Sequence, residues 1–114
     1  MTHPYVIVRT RSAGVFAGHL EKREGKEVTL TNARRLWFWH GAATLSQIAT
    51  TGTSRPDECK FPVPVKRVVL TEAIEILDVT QEAKTSIEGV PEWHQGAGSG
   101  SGSGSIYNYG DGRA

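Results

Sequence analysis

The run Asn32-Ala33-Arg34-Arg35-Leu36-Trp37-Phe38-Trp39-His40 places the tightest constraint on how this chain can fold. Two arginines stand next to two of the three tryptophans, with a leucine, a phenylalanine and a histidine among them. As a strand, the run divides into two faces. Arg35, Trp37 and Trp39 share one; Arg34, Leu36, Phe38 and His40 share the other. Leu36 and Phe38 assign the second face to a core, since two such side chains are not both left to water. The first face then displays Trp37 and Trp39 beside Arg35. Two readings of it stand open: tryptophans as core or interface anchors with solvated arginines, or a surface that binds a ligand or partner. The second has a chemical basis. A guanidinium fits phosphate and carboxylate oxygens with a fixed fork of donors, and indole rings accept cations and stack on flat bases.

The rest of the chain reads as short strands joined by turns. Tyr5 to Arg11 is a first strand, rich in β-branched and aromatic residues. Ser12-Ala13-Gly14 turns into a second strand, Val15 to Glu21, where Gly18 marks a bulge or sharp bend. Lys22 to Lys26 is a charged hairpin tip whose Gly25 sits where positive φ is needed. Glu27 to Thr31 alternates, with Val28 and Leu30 inward, and leads into the Arg-Trp run. Thr44 caps a short helix to Thr50, Gln47 completes a capping box, and Gly52 ends it. Val65 to Val69 is extended; from there Val68, Leu70, Ala73, Ile74 and Leu77 fit a helical face, but Ile74-Glu75-Ile76 alternates and the β-branched content favours a strand with a break near Thr71 to Ala73. Thr80 caps a second helix to about Glu88, and Trp93 docks on the body. The pattern predicts a mainly β fold, a small strongly bent sheet or an Sm/SH3-like barrel with two short helices.

Length bounds the rest. The 114 residues suit one domain. Gly96 to Gly104 is glycine and serine with one alanine and offers nothing to bury, so residues 1–94 are expected to form the domain and 95–114 a Gly/Ser-rich tail. A core this small is helped by self-association. Charge favours it too: residues 1–70 hold eleven Lys/Arg against five Asp/Glu, and residues 71–114 hold two against seven. Oppositely charged halves can meet head to tail, so a homo-oligomer is expected. The single cysteine, Cys59, cannot form an internal disulfide. The sequence predicts neither a secretory leader nor a membrane span.

No catalytic constellation emerges. His3, His19, His40 and His94 are scattered without ligand spacing, and Cys59 reads as a small buried thiol. Glu72, Glu75 and Asp78 share a face only on a helix, where a solvated acidic face is the ordinary outcome. The chain is therefore expected not to be an enzyme, and to carry no cofactor or metal. The binding-type set is Arg9, Arg11, Arg34, Arg35, Trp37 and Trp39, with Tyr5 nearby and Arg55 and Lys60 in a proline-rich loop able to close over it.

Two resemblances follow from these residues. Val15 to Leu36, a strand, charged Gly turn and strand with Gly18-His19-Leu20 within it, together with Val68 to Val79, resembles an Sm-like barrel and implies an RNA-binding alternative. The usual Asp- and Asn-containing ligand loop of that family is absent. Val8 to Gly18, Asn32 to Trp39, Leu45-Ser46-Gln47 and Cys59-Lys60-Phe61-Pro62 resemble a family of small uncharacterised tailed-bacteriophage proteins with Gly/Ser/Tyr/Asp-rich tails. This second resemblance implies a phage origin, with the protein in the host cytoplasm during infection or in the virion. The expectation is a homo-oligomeric phage protein that captures a nucleotide-like anion, for example a host defence signal. The alternative is a virion component whose tail is held by a neighbour.

Overall fold

A computed structural model describes residues 3–94 of the chain. Five antiparallel strands, β1 (Tyr5–Thr10), β2 (Val15–Glu24), β3 (Glu27–Arg35), β4 (Val65–Leu70) and β5 (Ala73–Asp78), form one sheet in the order β4-β3-β2-β1-β5. Helix α1 (Leu45–Thr51) and a 3-10 turn (Pro56–Glu58) lie between β3 and β4, and α2 (Gln81–Gly89) follows β5. The fold is mainly β with two short helices, as the strand and cap signals require.

The sheet is strongly bent but open. β4 and β5 occupy opposite edges, yet only Thr71 and Glu72 separate them in sequence. Three Cα steps reach roughly 10 Å, so the two edges must converge at that end. The linker is pinned there: Ala73 N–H donates to Lys26 O at 3.0 Å, and Arg11 N–H donates to Glu72 O at 3.0 Å. No ladder joins β4 to β5, so the barrel alternative is not what forms. Hydrogen bonding stops at the two edges instead of running around a closed wall.

Bending comes from local irregularities. The β2–β3 register shifts between Ala17 and His19, and again between Leu20 and Lys22. At the first shift β3 carries an extra residue, and Asn32 takes φ of 49°. Opposite it, a side chain on Gly18 would meet Ala33 Cα at 3.0 Å and Thr31 O at 3.1 Å. The glycine that signalled a bulge is there because two backbones approach too closely for a Cβ. At the hairpin, Gly25 takes φ of 61° in a two-residue turn with Lys26, tighter than the five-residue tip expected.

Because the sheet curls, β1 is buried on both faces. Val6 and Val8 point into the concave side with Phe16, Val28, Leu30 and Leu70. Tyr5 and Ile7 point outward, under Ile48 of α1, Ile87 of α2 and Phe61. Two-sided burial explains why Tyr5-Val6-Ile7-Val8 shows no polar alternation. Each fully buried aliphatic contributes about 1.5–3 kcal/mol. Thr44 Oγ1 caps α1 by accepting from Gln47 N–H, Thr80 Oγ1 caps α2 by accepting from Ala83 N–H, and Thr80 Oγ1 also clips the two helices together by donating to Thr50 O at 2.7 Å. Gln47 closes its box one residue further out than expected, accepting from Ala43 N–H. Expectations concerning residues 95–114 fall outside the described residues.

Candidate ligand-binding cleft

Strand β3 ends at Arg35, before the tryptophans. Its last ladder partner is Phe16, and Leu36 N–H still reaches Val15 O at 2.8 Å. Beyond that point the chain leaves the sheet and touches extended structure again at a bridge from Phe38 to Lys60. Leu36 is buried as expected, but Phe38 is 38% exposed and does not join the core. Phe38 sits at 5.0 Å, edge to face, against His40.

The departure builds a cleft. Arg35, Trp37 and Trp39 do come together, along with Gly14, Val15 and Leu36, around a cavity of about 240 Å³. Val15 and Trp39 pack on the helix-side core, which fixes its floor. At its rim the Arg35 guanidinium donates through Nη1 to Ala13 O at 2.6 Å and lies 4.4 Å from the centre of the Phe16 ring. That single bond takes one of five N–H donors. Partial burial lowers its pKa from the usual guanidinium value, yet such a group stays charged at neutral pH.

One wall is reinforced from the far end of the chain. The Trp37 ring stacks on Trp93 at 5.0 Å with an 11° interplanar angle. Trp93 is itself anchored, its N–H donating to Phe61 O at 3.0 Å. Lys60 Nζ lies 5.7 Å from the Trp37 ring and 5.5 Å from each of the Phe38 and Trp93 rings. The docking of Trp93 was anticipated; its stacking on Trp37, and the use of Gly14 and Val15 as lining, were not. Neither has a signal in the sequence, because the contacting segments are far apart along the chain.

The other basic residues of the expected set go elsewhere. Arg34 is only 5% exposed. Its Nε donates to Pro62 O at 3.1 Å, Nη1 to Ile87 O at 2.9 Å and Nη2 to Phe61 O at 3.1 Å. It joins β3, the strand-like segment before β4 and the end of α2, where a cation also suits the exposed carbonyls of a helix C-terminus. Burial lowers its pKa, and Glu92 and Tyr5 act in the opposite sense. Arg9 pairs with Glu75 across β1 and β5 at 2.8 Å. Arg11 is exposed just past the end of β1. Arg55 precedes the 3-10 turn and pairs with Glu58 at 3.3 Å. Tyr5 is buried under Lys84, whose Nζ is 5.6 Å from its ring, and makes an edge contact with His19. The Cys59 thiol is buried, within 3.5–3.7 Å of His40 O, Arg55 O and Thr53 Oγ1. Among the described residues no three His, Cys, Asp or Glu side chains are grouped to hold a metal ion. No described helix is long and apolar enough to cross a membrane.

Comparison with known proteins gives a family without an activity. No curated protein and no solved structure matches the chain. Residues 3–87, which carry the sheet, α1, the cleft residues up to Trp39 and most of α2, match the model of DUF6948, a domain of unknown function. The chain therefore belongs to the DUF6948 family.

Proposed function

We propose that this protein is a non-enzymatic binding module for a small anionic ligand with a flat ring, a nucleotide being the class that fits. The observation that carries the reading is the convergence of Arg35 with Trp37 and Trp39 on one cavity of about 240 Å³. Stacking of a base on an aromatic side chain contributes about 1–3 kcal/mol. A charge-assisted bond from a guanidinium to phosphate contributes about 1.5–3 kcal/mol. The cavity falls below the roughly 300–1,000 Å³ of sites that enclose a whole drug-sized molecule. It suits a ring inside and a phosphate at the rim, within reach of Arg35. The side chains at the cleft are rings and a guanidinium held by Ala13; they favour recognition over proton transfer or nucleophilic attack.

In the phage setting that the sequence resemblance implies, this capture withdraws a nucleotide defence signal from the host. The RNA-binding alternative drew on a closed Sm-like barrel, and the open sheet lends it no support.

Calorimetric titration of the full chain with mononucleotides and cyclic dinucleotides, at two salt concentrations, tests the proposal. Saturable binding that weakens as salt rises is expected, with a loss of roughly tenfold to hundredfold in Arg35→Ala. Trp39→Ala is expected to lower affinity without changing the salt dependence. Equal affinity in wild type and Arg35→Ala, or no binding of any nucleotide, sinks it.

A further inference from the structure

The two open edges of the sheet are matched to each other. β4 and β5 are each six residues long, and neither pairs on its outer side with another described strand. An exposed strand edge is a template for another strand, and chains ordinarily guard it with charge, lysine above all. Here the charge differs in sign between edges. β4 carries Lys66 and Arg67; β5 carries Glu75 and Asp78, with Glu72 just ahead of it. Arg67 is satisfied inside the chain by Glu21 at 3.2 Å, and Glu75 by Arg9 at 2.8 Å. Lys66, Glu72 and Asp78 are exposed and have no ion-pair partner among the described residues. A guard of this kind repels a like edge and admits the opposite one.

The apolar surface points to the same place. Of the five exposed large hydrophobics among the described residues, Val65 (45%) and Val69 (46%) are on β4, Ile74 (51%) is on β5, and Val63 (54%) leads into β4. Val65 and Val69 share the convex face of β4, because Val68 and Leu70 take the concave one. An edge with unpaired backbone groups beside bare valines leaves both polar and apolar surface for a partner to cover.

We propose that the β4 edge of one copy of this chain docks on the β5 edge of the next. The contact is heterologous, so copies add head to tail and either close into a ring or extend as a filament. A two-fold contact between like edges would instead bring the Lys66 and Arg67 cluster, or the Glu72 and Asp78 cluster, towards its own copy, a repulsive arrangement. The proposal is independent of the ligand cleft, since neither Lys66 nor Asp78 lines it.

The experiment is native mass spectrometry and sedimentation velocity on the full chain, with Lys66→Glu and Asp78→Lys. Both positions are exposed, and circular dichroism verifies that each variant keeps the wild-type fold. The wild type is expected to assemble, and more weakly as salt rises. Each reversal turns an attraction into a repulsion at every contact and should weaken assembly by about tenfold or more. Mixed in equal amounts, the two variants present opposite edges to each other in alternation, so assembly should return. A wild type that stays monomeric at tens of micromolar, variants that assemble as well as the wild type, or a mixture that stays dissociated would each overturn the proposal.

Discussion

At the end of β3 the chain supplies the same side chain twice, and the two copies serve regions of opposite character. Arg34 points into a joint where all its neighbours are fixed: three backbone carbonyls from Phe61, Pro62 and Ile87 receive its donors. Arg35, one residue on and on the other face, makes one bond to Ala13 O and otherwise lies over Phe16 at the mouth of the cleft. The joint consumes a guanidinium to satisfy buried acceptors. Among the described residues, the cleft leaves most of one available. A basic residue is therefore informative about binding only after its acceptors inside the fold have been counted.

The largest effect that separates the two regions is expected from Arg34→Ala. It strands the Pro62 carbonyl, leaves those of Phe61 and Ile87 with one backbone donor each, from Trp93 and Val90, and removes the group that ties β3 to α2, at a cost of about 3 kcal/mol or more. Urea unfolding followed by tryptophan fluorescence measures it. Arg34→Lys should recover only part of the loss, because one ammonium cannot reproduce a planar fork reaching three oxygens. If Arg34→Ala unfolds within about 1 kcal/mol of wild type, the joint is no more structural than the cleft and the contrast fails.

The same joint predicts an alkaline sensitivity. Burial, reinforced by Glu88 and opposed by Arg34, raises the Tyr5 pKa well above its ordinary value. The unfolded chain releases this proton near pH 10, its usual value, while the folded chain holds it. The stability contribution is thus complete below about pH 10 and is lost as pH rises from there towards the folded value. Wild-type stability should fall over that range, and Tyr5→Phe should remove this part of the dependence. Parallel profiles for the two proteins would contradict it.

On the cleft side, Trp93→Ala should cost less, about 0.5–1.5 kcal/mol for the lost ring contact plus the area it covers. It carries a spectroscopic mark as well: the stacked Trp37–Trp93 pair should give an exciton couplet in far-ultraviolet circular dichroism that the variant lacks. A couplet unchanged by the substitution would mean that the pair is not stacked in solution. The smallest effect on folding is expected from Arg35→Ala, about 0.5–1 kcal/mol for one exposed bond and the contact with Phe16. Its effect on ligand affinity should be the larger of the two. A variant that loses as much stability as Arg34→Ala would place Arg35 in the joint and not in the cleft.

Much of the frame was readable from local signals, and for a common reason. Thr44 and Thr80 were legible as helix caps because a cap is satisfied within three residues of itself. Gly25 was legible because a hairpin turn needs its φ whatever surrounds it. Gly18 announced the β2–β3 bulge, although its reason, the approach of Ala33 and Thr31, lies across the sheet. The grouping of Arg35, Trp37 and Trp39 was also anticipated, although β3 stops at Arg35 and strict alternation ends there. The exposure of Phe38 follows from that early stop, and no propensity in the run marks it.

The sequence by itself determined where most of the strands run, where the helices begin, and that cationic and aromatic chemistry is concentrated in residues 32–40. Each of these depends on interactions within a few residues, so composition and spacing decide them. Only the tertiary structure decided that Arg34 is spent on carbonyls of residues 61, 62 and 87 while Arg35 is left at a cleft. It also decided that Trp93 comes back to stack on Trp37, and that β4 and β5 end as two open edges of opposite charge. A side chain's role depends on the acceptors and rings packed against it. Those come from segments whose separation along the chain leaves no trace in local pattern, and whose meeting is fixed by the bend of the whole sheet.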